Sequence, residues 1–293
     1  MVCSLLKRAR CFFLGALSRS DRDEEKPMSK AVEQEKTDHG SSEVWGVLGG
    51  MGPLASAEFM KSIYEQNTGG KEQNSPIVFL LSDPSIPDRT ESLHNGTDKI
   101  LLARLSSGIS QLISAGATKI VMCCVTAHYL MSQLPAPMRA KIVSLVDLIF
   151  AAILQGGEKS LLLCTEGARA VGIFQTHEAW CDAQNFVVLP DRQDQASVHQ
   201  LIYEIKSNHT GDRQLRFIQS LMRKYGVSSY TAGCTELHIL AREQARVTGR
   251  KACEFCVDPL AIVAAMMSHA APYPELARAS ISSSGLNRAV SSF

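Results

Sequence analysis

The chain has 293 residues, 45% of them apolar and 20% charged, with a net charge of +1. That is long enough for two domains of ordinary size, and it excludes the low-hydrophobicity, high-charge composition of a disordered protein. The near-neutral balance also argues against an electrostatic nucleic-acid binder, so a small polar ligand is the fitting partner.

In chain order, residues 1–43 read as a flexible N-terminal arm or leader. Lys7, Arg8, Arg10 and Arg19 occur in the first 20 residues without an acid, and 21–43 are polar and charged. An Arg-rich, acid-poor start suits organellar or secreted targeting, and Cys3 and Cys11 are open to acylation; the other reading is an unstructured tail on a cytoplasmic protein. The apolar run from Cys11 to Leu17 is too short to span a membrane.

Beyond residue 43, β-branched runs alternate with amphipathic stretches. Strands are predicted over 44–48, 77–81, 119–123, 141–146, 161–164, 185–189, 228–232 and 253–257. Helices are predicted over 53–66, 97–115, 197–207, 213–225 and 235–245. Pro53 takes the opening turn of the first helix, with Phe59, Met60, Ile63 and Tyr64 on one face. Alternating strand and helix predict a parallel sheet whose ligands bind beyond the carboxyl ends of the strands. The turn at 49–52, Cys124 and Cys234 all fall at such ends. Residues 271–293 read as a flexible tail.

The nine cysteines lack the regular density of a secreted disulfide scaffold and read as reduced thiols. Cys253-x-x-Cys256 has no second CxxC to complete a four-sulfur zinc site, and reads as two core cysteines in a buried strand rather than as a zinc or redox motif. Cys124 and Cys234 are different. Each sits where an apolar run gives way to a helix start, where the helix dipole and unpaired amides favour thiolate. Two such thiols make an acid and base pair. Cys124-x-x-x-His128 and Cys234-x-x-x-His238 also have the spacing of a Cys2His2 metal site, but each cysteine precedes its helix, and no metal is expected.

The segment Gly50-x-Gly52-x-x-Ala55 matches the loose dinucleotide fingerprint. Its acidic partner should lie about 20 residues on; the first acid after the next apolar run, Asp83, lies 33 residues beyond Gly50. The amides of Gly50, Met51 and Gly52 are better suited to a small anion at a helix N-terminus, or the glycines simply form a tight turn.

Five motifs occur in one order: Val47-Leu-Gly-Gly-Met-Gly-Pro-Leu-Ala55, Ser82-Asp-Pro-Ser-Ile-Pro-Asp-Arg-Thr90, Cys124-Val-Thr-Ala-His128, Gly233-Cys-Thr-Glu-Leu237 and Val257-Asp-Pro-Leu260. In this the chain, from about 44 to 270, resembles the cofactor-independent aspartate/glutamate racemase family. The resemblance implies an α/β fold of two similar domains, each a parallel sheet flanked by helices, with the active site in the cleft between them. The first domain would comprise 44–146 plus 253–270, the last strand and helix returning to it, and the second 147–252. It further implies racemisation of a small amino-acid or dicarboxylate substrate without pyridoxal phosphate or any other cofactor, often in a homodimer.

Inverting an α-carbon requires a base on one face and an acid on the other, which is why two thiols are needed. Cys124 takes this role rather than Cys123, because neighbouring strand residues face opposite ways and the spacing to His128 runs through Cys124. By resemblance, Arg89 grips the substrate's side-chain carboxylate, the alternative being an ion pair with Asp88 or Asp83. Gly50, Met51, Gly52, Thr126, Thr165 and Thr235 are the other expected substrate contacts, and His128 and Glu236 are placed to tune the cysteines.

The sequence departs from the family at three positions. Val125 replaces an asparagine directly after the first cysteine, Ala168 replaces a threonine, and the helix alignment puts Ala196 where aspartate-selective members carry a second carboxylate-binding lysine. The alternatives to a racemase are an inactive ligand-binding relative and another carbanion enzyme of the same fold, a decarboxylase or isomerase.

Overall fold

The computed structural model describes residues 43–66 and 70–268. The arm and tail expected at the two ends lie outside these residues, apart from Glu43. Among the described residues, eight parallel strands form two sheets of identical connectivity, one ordered β2-β1-β3-β4 and the other β6-β5-β7-β8.

The first sheet holds β1 (Val44–Gly49), β2 (Ile77–Ser82), β3 (Lys119–Met122) and β4 (Ile142–Val143). With them run α1 (Pro53–Glu65), α2 (Arg89–Asn95), α3 (Asp98–Ser114), the short α4 (Ala136–Arg139) and α5 (Leu145–Gly156). The second holds β5 (Ser160–Leu163), β6 (Val187–Val188), β7 (Ser229–Ala232) and β8 (Cys256–Val257). Its helices are the short α6 (Glu166–Ala170) and α7 (Trp180–Ala183), then α8 (Arg192–Lys206), α9 (Asp212–Tyr225), α10 (Glu236–Thr248) and α11 (Pro259–Met267). Among the described residues no helix is long and apolar enough to cross a membrane.

The strands alternate as buried parallel strands must. Val47, Val121 and Cys123 face a cluster with α1, α5 and α11, while Leu48, Ile120, Met122 and Cys124 face a cluster with α3. In the second sheet Leu162 joins the first of these clusters, and Leu161, Leu163, Tyr230 and Ala232 pack under α8, α9 and α10. The central cluster is therefore shared by both sheets.

Two expected strands change character. Lys141–Val146 yields only the two-residue β4, because Ser144 accepts a hydrogen bond from the Asp147 amide (3.2 Å) and starts α5 at Leu145. The segment 253–257 splits into a 3-10 turn, Ala252–Glu254, and β8, so Cys253 is exposed and only Cys256 is a buried strand residue. The return of the last strand to the first half is also corrected: β8 pairs with β7 in the second sheet. Only α11 crosses over, packing on α1 and α5, with its first turn capped by Asp258.

Candidate active site

The two central strands of each sheet deliver the candidate residues side by side. In the first, Leu48 pairs with Met122, so the glycine turn and Cys124 leave the same edge; in the second, Leu163 pairs with Ala232, so Thr165 and Cys234 do the same. Cys124 and Cys234 are 4% and 3% exposed. Among the hydrogen bonds that cross between the halves, Thr235 Oγ1 donates to the Cys123 carbonyl (3.2 Å), and the hydroxyls of Thr126 and Thr165 lie 3.1 Å apart.

A short polar helix positions Arg89. The Asp88 carboxylate accepts from the amides of Thr90 (2.8 Å) and Glu91 (3.1 Å), capping α2 and placing Arg89 at its first position. Arg89 is 5% exposed, its guanidinium donates to the carbonyls of Pro87 (3.0 Å) and Met51, and it interacts electrostatically with Cys124. Burial alone would lower its proton affinity, but the neighbouring Cys124, Asp88 and Glu236 more than offset this and raise it.

The second thiol has the opposite neighbour. Cys234 Sγ donates to Glu236 Oε2 at 2.8 Å. Burial first, and then the Glu236 charge, push this thiol well above its usual range, so its resting form is protonated. Glu236 opens α10 and is buried; its other oxygen faces Lys206 Nζ at 3.4 Å. Lys206, the last residue of α8, also donates to the Met51 carbonyl (3.3 Å) and lies 4.0 Å from Asp88. Burial works against its charge, and Glu236 reverses the direction, raising its pKa. The chain of polar contacts runs from Cys124 through Arg89, the Met51 carbonyl, Lys206 and Glu236 to Cys234.

The glycine turn behaves differently from expectation. Gly50 adopts φ +87°, and a Cβ there would sit 2.3 Å from the Asp83 backbone, so glycine is required. Its amide is spent on Ser56 Oγ (3.2 Å), and the group the turn offers to the charged side chains is an acceptor, the Met51 carbonyl. Gly52 lies against Glu236: a Cβ would come within 2.2 Å of Oε1.

His128 is buried and committed through both ring nitrogens. The Leu145 amide donates to Nε2 (3.1 Å), so Nδ1 carries the hydrogen and donates to the Cys124 carbonyl (2.9 Å). Burial lowers its pKa and keeps it neutral. It orients the cysteine's backbone and ties it to the start of α5, with no lone pair left for a metal. His238 is engaged through one nitrogen, with Nδ1 2.6 Å from Asp258 Oδ2, while its buried Nε2 has no hydrogen-bond partner among the described residues. Val125 and Ala168 are both fully buried in the shared apolar cluster. Ala196 is exposed on α8 and holds no place in the site; Lys206, near the far end of the same helix, occupies it. Asp88 is expected from the sequence only as an ion-pair partner of Arg89, from which it lies 3.9 Å, and neither Lys206 nor Tyr203, whose hydroxyl donates to Asp88 Oδ1 (2.9 Å), is expected at the site. The signal available was the i, i+3 spacing of Tyr203 and Lys206, which puts both on one helix face.

Residues 48–267 match the family model described as Asp/Glu/hydantoin racemase, a span from β1 to the end of α11 that includes both cysteines. The chain belongs to this family. Among solved structures it is similar to the aspartate racemase of Picrophilus torridus, at 24% identity and a TM-score of 0.65, over 78% of this chain and 94% of that one. It is also similar to an aspartate racemase homologue from Pyrococcus horikoshii, at 19% identity and a TM-score of 0.56, over 78% and 98%. At these identities the likeness is one of fold: the racemase-family architecture is two parallel four-stranded sheets, and the polar chain between the cysteines spans both.

Proposed function

We propose that the protein is a cofactor-independent racemase or epimerase that moves a proton at the α-carbon of a small amino-acid or dicarboxylate substrate. The reading rests on one observation above all: equivalent strand ends of the two sheets carry buried cysteines with opposite charge partners, Arg89 at Cys124 and Glu236 at Cys234.

The Glu236 carboxylate favours the thiol form of Cys234, which is the resting acid, and Cys124 at the equivalent strand end takes the complementary part of base. Cys124 removes the α-hydrogen from one face and Cys234 returns its own proton to the other. This leaves Cys124 protonated and Cys234 ionised, the state that runs the reverse reaction. Arg89 and Lys206 hold a substrate carboxylate that displaces the Met51 carbonyl as their shared acceptor. Hydroxyls of Thr126, Thr165 and Thr235 lie at the same strand ends, where they can donate to charge developing on the substrate. With Val125 and Ala168 in the core, recognition of the substrate falls to the two cations and these hydroxyls.

Incubation in deuterium oxide with a panel of amino acids and small dicarboxylates, read by mass spectrometry, tests the proposal. Deuterium should enter the α-position without added pyridoxal phosphate, and exchange should be lost in both Cys124→Ala and Cys234→Ala. Exchange that survives the double substitution would rule out the thiol mechanism; stoichiometric binding without exchange would instead identify a ligand-binding relative.

A further inference from the structure

Cys253 and Cys256 take no part in this chemistry, and they differ in environment. Cys253 is exposed in the turn Ala252–Glu254, while Cys256 is 4% exposed in β8. The backbone between them turns tightly. The Glu254 amide donates to the Lys251 carbonyl (3.0 Å), the Phe255 amide donates to the Ala252 carbonyl (3.1 Å), and Phe255 has φ −139° and ψ −4°. Cys253 lies inside both turns, which close at Glu254 and Phe255, and Cys256 follows directly on the second; a disulfide needs the two Cα atoms about 4.4–6.8 Å apart.

Both cysteines line the same cavity of about 710 Å³, a volume in the usual range for small-molecule sites. Its other walls come from the end of α5 at Gln155 and Gly156, the β-strand starts at Ser160 and Ser229, and Ala261 of α11. Those strand starts are the opposite ends from Cys124 and Cys234.

We infer that Cys253 and Cys256 form a reversible intramolecular disulfide by exchange with a small-molecule disulfide admitted through this cavity. The Cys253 thiolate attacks one sulfur of the incoming disulfide and expels the first thiolate, leaving a mixed disulfide on Cys253. Cys256 then gives up its proton and attacks the Cys253 sulfur, expelling the second thiolate. Two protein thiols lose two hydrogens and two electrons, and one small disulfide becomes two thiols. Burial sets the order: it pushes the Cys256 thiol well up, making it a poor first nucleophile, whereas Cys253 meets solvent. Cys181 is a built-in control. It is exposed as well, but the next four residues contain no cysteine.

The test equilibrates reduced full-length protein with graded ratios of oxidised to reduced glutathione, quenches with acid, alkylates free thiols and maps peptides by mass spectrometry. The peptide containing 253–256 should lose two hydrogens and carry neither alkyl group nor glutathione, under conditions that leave glutathione on Cys181. Dithiothreitol should restore both thiols. In Cys256→Ser, or in Cys256→Ala should the serine variant unfold, Cys253 should retain glutathione. In Cys253→Ser, Cys256 should alkylate at least about tenfold more slowly than Cys253 does in the reciprocal variant. Wild-type protein that keeps glutathione on Cys253, or leaves both thiols free while Cys181 is fully modified, overturns the inference. Because the pair lies at the other end of the strands, neither result bears on the racemase reading.

Discussion

Glu236 is the residue whose charge matters most to the proposed proton transfer. It is 1% exposed, accepts the Cys234 thiol hydrogen at 2.8 Å and faces Lys206 with its other oxygen. Glutamine has nearly the same shape without the charge. Cys234 is pushed up first by burial and second by this carboxylate, so Glu236→Gln should lower the thiol's pKa while leaving the burial part intact. In the direction where Cys234 is the acid, activity requires the thiol and disappears as pH rises through its pKa. The basic limb of kcat/KM should therefore move to lower pH in Glu236→Gln, by at least about one unit; an unmoved limb would show that Glu236 does not act on this thiol. The same scale shows a limit of reading the sequence. Both cysteines are legible because each stands at a marked transition, and Arg89 is legible only through the family resemblance of its Pro-Asp-Arg motif. Lys206 is not, because it lies ten residues, nearly three helical turns, from the exposed Ala196 that alignment puts in the role. Nothing in a helix's sequence says which of its turns meets a distant strand end.

At the scale of elements, the legible parts are those with a clear period. α9 has charged and apolar residues on separate faces, and α3 and α8 bury one stripe each. In contrast, α5 and α11 are apolar nearly all round because both pack in the cluster shared by the two sheets, and an apolar run without a period cannot be told from a buried strand. Their caps, Ser144 and Asp258, were the available signals. The first turn of α10 poses a sharper constraint. It presents Glu236 to Cys234, Lys206 and the glycine turn at once, and Gly52 leaves no room for a side chain. Gly52→Ala should force the carboxylate away from its place, destabilising the protein by about 1–3 kcal/mol in urea unfolding. Its larger effect should be on the site, with Cys234 alkylating faster in the native variant than in the wild type. Unchanged labelling would mean that the turn and α10 separate without cost to the thiol's cover.

For the whole molecule, the decisive feature is that the site is shut. Cys124 and Cys234 are almost fully covered, and contacts between the two halves hold the cover in place: Thr126 with Thr165, Thr235 with the Cys123 carbonyl, Lys206 with the Met51 carbonyl and Tyr203 with Asp88. A substrate reaches the thiols only if some of these part. In the free protein, labelling of Cys124 and Cys234 should then be governed by the small open population and run far behind that of exposed Cys181. Tyr203→Phe removes one of the four contacts and leaves Arg89, Lys206 and both thiols in place. Losing one hydrogen bond, worth about 0.5–1.5 kcal/mol, should raise the open population and the labelling rate of both thiols about 2–12-fold. A dicarboxylate that bridges Arg89 and Lys206 should slow labelling in wild type and variant alike, because it supplies the cations with an acceptor in the closed arrangement. If Cys124 and Cys234 react as fast as Cys181 in the unliganded wild type, the halves are open in solution. Closure would then have to be supplied by the substrate rather than opened by it.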